Sequence, residues 1–286
     1  MRALNRYFSN PGLALALLAP AVLIYVVAFL APVIKLAFMS FVETDPSGSM
    51  LDSHSTENYV NFITDGYYIS AIANSLGMAA IVTVLTLICA YPIAMVIQDT
   101  GPRWRNLLIV ITISPLLVSS VVRTYGWILL LGDTGVINYT LQAIGLTQGP
   151  LRLLNNYLGV VIGLVEILMP YMALSLLAGF GRLNADLNAA AASLGANAFR
   201  RFFHVTLPLT VPGIALGSLL CFVLAISSFV TPRLLGGGRV VLLATEIYDQ
   251  AIVELQWPMA ATLSITLLIL LGVALALYSR MIRRFA

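Results

Sequence analysis

Six apolar runs, each long enough to cross a lipid bilayer, recur along this chain and exclude most folds. They fall at about 13–38, 69–97, 107–131, 158–180, 209–230 and 259–281. Spanning the hydrocarbon takes about 20 apolar residues at about 1.5 Å of rise each. In lipid, every backbone N–H and C=O must be satisfied within the segment, so such runs can only be helices. The composition agrees: 60% of residues are hydrophobic and 9% are charged, against about 25% charged in an ordinary soluble domain. An all-α membrane protein with six transmembrane helices in a single domain, residues 1–286, is the architecture these runs predict.

Orientation follows from the basic residues. One set of connections, with both termini, holds Arg2, Arg6, Arg103, Arg105, Arg182, Arg200, Arg201, Arg280, Arg283 and Arg284 against only Asp99 and Asp186. The opposite set holds Arg152, Arg233 and Arg239 against Glu43, Asp45, Asp52, Glu57, Asp65, Asp133, Glu246, Asp249 and Glu254, and is acidic. Positively charged loops stay in the cytoplasm, so both termini are expected there. These arginines are scattered over separate loops, so the net charge of +3 does not signal nucleic acid.

Proline occurs within or beside several runs, at Pro20, Pro32, Pro92, Pro115, Pro170 and Pro212. Carbonyls freed by proline need neighbours or water to satisfy them, which suits a packed bundle. Between the spans, 43–68 reads as a polar loop with a short helix, and 136–144 as an amphipathic stretch. Gly236-Gly237-Gly238 reads as a flexible turn. It is no phosphate cradle, because no Lys-Ser or Lys-Thr follows. Cys89 and Cys221 lie deep in apolar runs and read as small buried hydrophobes.

No nucleotide-binding loop, zinc-protease motif or nucleophile elbow is present, and no histidine falls in a span to serve as a general base. The chain reads as non-catalytic, with no metal site and no cofactor of its own. Uphill transport by such a chain would draw on an ion gradient or on a separate subunit. Coupling to a gradient normally uses acidic residues inside the spans, and Glu166 is the clear candidate. Arg123 sits towards the outer half of the third run, and Lys35 near the outer end of the first can snorkel. For a solute path, Glu166, Tyr125, Trp127 and Tyr171 are the candidate contacts, because aromatic faces attract an ammonium by about 0.5–2 kcal/mol. Arg123 would repel such a cation unless paired. A structural Glu166–Arg123 pair, and a belt role for Tyr125 and Trp127 at the membrane interface, are equally open.

The polar break between the fourth and fifth runs, 181–208, has its own pattern. Leu187, Ala191 and Leu194 stand at i, i+4 and i+7, an apolar stripe on a short helix. Gly195 interrupts it, and a second helical piece carries Phe199, Phe202 and Phe203 as an apolar face beside Arg200, Arg201 and His204. Pro208 punctuates the start of the fifth run. Two short helices meeting at a glycine form either a knob for a groove on another protein or an interfacial helix on lipid headgroups.

This break resembles the loop signature of ATP-binding-cassette importer permeases: Glu-Ala-Ala, three residues, Gly, nine residues, Ile-x-Leu-Pro. Ala190, Ala191 and Gly195 match, Val205 replaces the isoleucine, and Leu207 and Pro208 complete it. Ala189 occupies the place of the glutamate. The likeness extends over most of the chain, through Asn74-Ser75-Leu76 and Tyr91-Pro92-Ile93-Ala94. Ser114-Pro115 through Arg123-Thr124-Tyr125-Gly126-Trp127, 135–138, and Phe229-Val230-Thr231-Pro232 into 235–237 are similar to the spermidine/putrescine branch.

The resemblance implies the type I importer permease fold, with a cytoplasmic coupling-helix loop between spans four and five. It implies a bacterial inner-membrane location and three kinds of partner: a periplasmic substrate-binding protein, a second permease subunit, and a cytoplasmic ATPase dimer that uses ATP and magnesium. The missing loop glutamate points to a heterodimer whose other permease retains it. A polyamine is the implied cargo; opines, amino-acid derivatives, iron and phosphonates are carried by related permeases. A gradient-driven secondary carrier is the alternative from a different class, and would show internal repeats.

Overall fold

The computed structural model describes residues 11–44, 50–181 and 185–282. The termini, with Arg2, Arg6, Arg283 and Arg284, and Arg182 in the 181–208 break fall outside the described residues. Two compact units are present: one built on the described residues up to Thr64 together with Asp249–Thr266, the other on Asp65–Tyr248 with the chain from Leu267 onward.

In the first unit, α1 (Pro11–Tyr25) runs through a wider π turn, Val26–Leu30, into α2 (Ala31–Met39). Ala31 N–H reaches back five residues to the Val26 carbonyl, just before Pro32. A proline ring clashes with the carbonyl four residues back, and the widened turn makes room for it. A two-stranded antiparallel hairpin follows, β1 (Val42–Thr44) and β2 (Met50–His54), registered Val42 to His54 and Thr44 to Met50. This hairpin replaces the plain loop expected there, and α3 (Glu57–Thr64) supplies the short helix. Asn58 donates from Nδ2 to the carbonyls of Val42 at 2.8 Å and Ser40 at 3.2 Å. The Thr262 hydroxyl reaches the same Ser40 carbonyl at 3.2 Å, tying the end of α2 to the start of the last helix, α14 (Trp257–Ile282).

The second unit is organised by three long helices: α4 (Gly66–Asp99), α8 (Tyr157–Phe180) and α11 (Leu207–Ile226). Their shared core includes Met78, Val82 and Ile97 from α4, Leu164, Met172 and Phe180 from α8, and Cys221 and Ala225 from α11. Lipid tails are as apolar as leucine, so these helices gain by close backbone approach rather than by hiding apolar surface. Gly179 and Gly213 provide that approach: a Cβ on Gly179 would lie 2.9 Å from the Gly213 Cα. Cys221 is buried as expected, whereas Cys89 is exposed on the outward face of α4.

The third apolar run does not form one straight span. It begins as α5 (Pro102–Ile113), tightens into a 3-10 turn at Ser114–Leu117, passes through extended backbone at Val118 and Ser119, and resumes as α6 (Ser120–Leu131). The stretch Pro102–Leu117 and the stretch from Ser120 through the following helix to Ala143 are bent by 94°. Pro115 has no N–H to continue the ladder, and the Ser114 hydroxyl covers the Ile111 carbonyl so exposed, at 2.9 Å. Among the described residues, five helices are long and apolar enough to cross a membrane, or six with this bent pair taken as one span.

Beyond α6 come α7 (Val136–Ala143), the amphipathic stretch read from sequence, and later α12 (Val230–Gly236) and α13 (Leu243–Tyr248). The expected flexible glycine turn is a helix end, with Gly237 in the left-handed region as its C-cap.

Candidate functional site: coupling loop and proline-lined cavity

After α8, the 181–208 break folds as α9 (Ala185–Ser193), a reversal at Gly195, and α10 (Ala198–Arg201). Gly195 N–H donates to the Ala192 carbonyl at 2.9 Å and Ala196 N–H to the Ala191 carbonyl at 3.0 Å. These are the two bonds of a Schellman helix end, and they require a left-handed residue, which Gly195 provides at φ +82°. The glycine therefore completes α9 rather than weakening a helix interior. Asn197 caps the next helix, its side-chain oxygen accepting from Arg200 N–H at 2.9 Å.

α10 continues without a break through a π turn, Phe202–Thr206, into α11. Leu207 N–H bonds five residues back to Phe202, the same device that precedes Pro32, and it lets the helix run on through Pro208. Pro208 is thus carried inside a continuous helix from Ala198 to Ile226 rather than marking a new start.

The three phenylalanines do not share one outward face. Phe199 and Phe203 are exposed, and Leu194 projects furthest, 88% exposed. Phe202 instead turns inward and packs edge-on against Tyr91 of α4 at 5.7 Å, and Tyr91 meets Phe180 of α8 at 5.5 Å. The Tyr91 hydroxyl lies 3.0 Å from that of Thr210. Residues at i, i+3 and i+4 cover an arc of about 100° on a helix, wide enough for its edge to face the core. Arg200 is exposed, whereas Arg201, Val205 and Leu207 are half-buried. Ala189, Ala190 and Ala191 all fall on α9.

A cavity of about 530 Å³ lies between α4, α5 and α8. Pro92, Pro115 and Pro170, one from each of three spans, line it, and Glu166 is the ionisable residue among its described lining. Glu166 Oε1 lies 3.4 Å from Arg123 Nη1, and the Trp127 indole N–H donates to Glu166 Oε2 at 3.2 Å. Arg123 and Trp127 are both on α6, so the sharp bend of the third span brings them onto α8. The structure therefore joins three of the five candidate pathway residues. Tyr125 is exposed on another face of α6, and Tyr171 packs against the hydrophobic core; neither joins the Glu166 cluster.

Sequence reasoning named Tyr91, Thr124 and Thr231 only as parts of family-like motifs and missed Thr210, the Tyr91–Thr210 contact and the Thr124–Thr231 hydroxyl pair, 3.1 Å apart between α6 and α12. A buried tyrosine needs a partner for its hydroxyl, and that was the signal available for Tyr91.

Proline-bent spans, an exposed, glycine-turned helical loop and a cavity lined by a carboxylate are the features of a membrane permease. Residues 90–285 match the family described as "Binding-protein-dependent transport system inner membrane component", and this chain belongs to that family. Membership sets aside the gradient-driven carrier. The spermidine/putrescine transport system permease protein PotB of Haemophilus influenzae is 36% identical over 251 residues, 88% of this chain and 87% of that protein. PotB of Escherichia coli is 33% identical over 84% of this chain and 87% of its own length. Among solved structures, a bacterial ABC transporter involved in import of the acidic polysaccharide alginate superposes with a TM-score of 0.76 at 19% identity, covering 99% of both chains. That likeness shows the type I importer permease fold.

Proposed function

We propose that this chain is a translocation-path subunit of an ATP-driven importer of a polyamine, such as spermidine or putrescine, or a closely related amine. The 36% identity to a spermidine/putrescine permease over nearly the whole chain carries this reading. A periplasmic binding protein delivers the solute to the acidic outer loops, with both termini of this chain in the cytoplasm. A second, related permease completes the path as a heterodimer. A cytoplasmic ATPase dimer, using ATP and magnesium, grips the coupling loop through Ala189, Ala190, Ala191, Gly195 and the exposed Phe199 and Arg200. Arg201, Val205, Leu207 and Pro208 seat the loop on α11.

Support for the mechanical part comes from the aromatic contacts. Motion of α10 reaches α4 and α8 through Phe202, Tyr91 and Phe180 with no flexible linker between. Cargo is assigned to the Glu166 cavity, where a carboxylate in apolar walls favours an organic cation. Uptake of labelled spermidine and putrescine by the assembled importer in proteoliposomes, with and without ATP inside, tests the proposal. Uptake indifferent to ATP, or none of either amine, overturns it.

A further inference from the structure

Resting on the amine-transport reading, the Glu166–Arg123 geometry carries one step more. A structural arginine–carboxylate pair is normally two-pronged, with contacts of about 2.7–2.9 Å. Here one guanidinium nitrogen touches one carboxylate oxygen at 3.4 Å. Arg123 Nε is buried with no hydrogen-bond partner, and its side chain is 13% exposed against 30% for Glu166. Arg123 holds the carboxylate loosely through Oε1, the Trp127 N–H holds Oε2 at 3.2 Å, and Glu166 lines the cavity. Pro170, also on the cavity wall, has no N–H to give the carbonyl of Glu166 four residues before it. Glu166 thus combines a carboxylate weakly paired with Arg123 and a carbonyl without its usual helix donor, on the wall of a cavity whose other described lining is apolar side chains and Thr112.

We infer that Arg123 is a resident cation on the cargo carboxylate: it neutralises Glu166 in the empty cavity, and a primary ammonium of a diamine or triamine displaces it. An unpaired carboxylate in apolar surroundings is costly, so an empty site needs a built-in counter-charge. A tethered competitor lowers the apparent affinity for cargo by the fraction of time it holds the site. That competition keeps cargo from being trapped, because the returning guanidinium expels it. Since Arg123 stands on α6 and Glu166 on α8, the exchange also loosens the second half of the bent third span from α8 when cargo arrives.

The test is equilibrium binding of labelled spermidine to the assembled permease–ATPase complex in nanodiscs without the binding protein, alongside ATP-driven uptake with it. Arg123→Gln should bind spermidine about tenfold tighter, because the tethered competitor is gone, while maximal uptake falls as release slows. Glu166→Gln and the double variant should both lose binding by about tenfold or more, with assembly of the complex intact. If the double variant restores wild-type binding and uptake lost in each single variant, the pair is purely structural and the inference falls. Amine uptake by the wild type without tightening in Arg123→Gln overturns the exchange alone. Absence of amine uptake by the wild type overturns the transport reading itself, and the exchange with it.

Discussion

Tyr91 and Thr210 face each other across the junction of α4 and α11, their hydroxyls 3.0 Å apart. The Thr210 hydroxyl also lies 3.0 Å from the carbonyls of both Thr206 and Leu207. The Thr210 hydroxyl therefore keeps backbone acceptors whether or not Tyr91 is present. On its ring side, Tyr91 meets Phe202, the inward phenylalanine of the coupling loop. One side chain thus links the loop to two spans.

Removing only the hydroxyl should be mild. In Tyr91→Phe no buried donor is left unmatched, so the loss is about 0.5–1.5 kcal/mol, seen as a small drop in thermal midpoint. Tyr91→Ala leaves a cavity costing about 3–5 kcal/mol and also removes both edge-on ring contacts. ATP hydrolysis should then continue in the assembled importer while uptake per ATP falls. Unchanged uptake per ATP in Tyr91→Ala would show that force does not travel by this route.

Gly195 separates strain from crowding. Nothing lies within 4 Å of a Cβ built there, yet its φ of +82° is one that side chains rarely adopt. The left-handed conformation costs an ordinary residue about 1–2 kcal/mol. Asparagine tolerates it best. Gly195→Val should unravel the end of α9 and reduce co-purification of the ATPase, with membrane insertion unaffected. Gly195→Asn should retain most of it, and equal loss in the two variants would indicate that bulk, not backbone, is what the partner senses.

How much of this was legible before the structure varies by element. The spans were legible in the long apolar runs, because an unbroken apolar run of about 20 residues satisfies its own backbone in lipid as a helix. Hydropathy carries no information on direction, so the break in the third span at Ser114–Ser119 was invisible to it, although Pro115 marked the place. Glu166, Arg123 and Trp127 were legible as candidates, but not their convergence, which depends on that break. Phe202 was misassigned because helical spacing alone does not say which edge of a stripe faces inward. The hairpin at Val42–Thr44 and Met50–His54 was hidden in a polar stretch without the alternating pattern of a half-buried strand.

The crossing of α8 and α11 gives a stability prediction independent of transport. A Cβ on Gly179 would lie 2.9 Å from Gly213 Cα and 3.3 Å from its N, both backbone atoms that cannot swing aside. Gly179→Val should force the helices apart at a cost of about 1–3 kcal/mol. Its thermal midpoint in detergent should fall. Gly272→Val, on α14 with open space around it, should leave the midpoint near wild type. A Gly179 variant as stable as the Gly272 control would mean that the two helices do not cross at these glycines.

The split of the phenylalanines yields the sharpest contrast, because neighbouring residues of one type should fail in different ways. Phe199 is 76% exposed, so Phe199→Ser removes little from the folded chain, and its stability should stay within about 0.5 kcal/mol of wild type, with the midpoint nearly unchanged. It should instead weaken capture of the ATPase, since exposed aromatics are the residues that anchor partner interfaces. Phe202→Ser strips the ring that packs on Tyr91 and puts a hydroxyl in its place, so it should lower the midpoint even in the isolated permease. Measuring thermal midpoint and ATPase co-purification side by side distinguishes the two. Were both variants to show the same profile, the inward turn of Phe202 would not describe the working state of the loop.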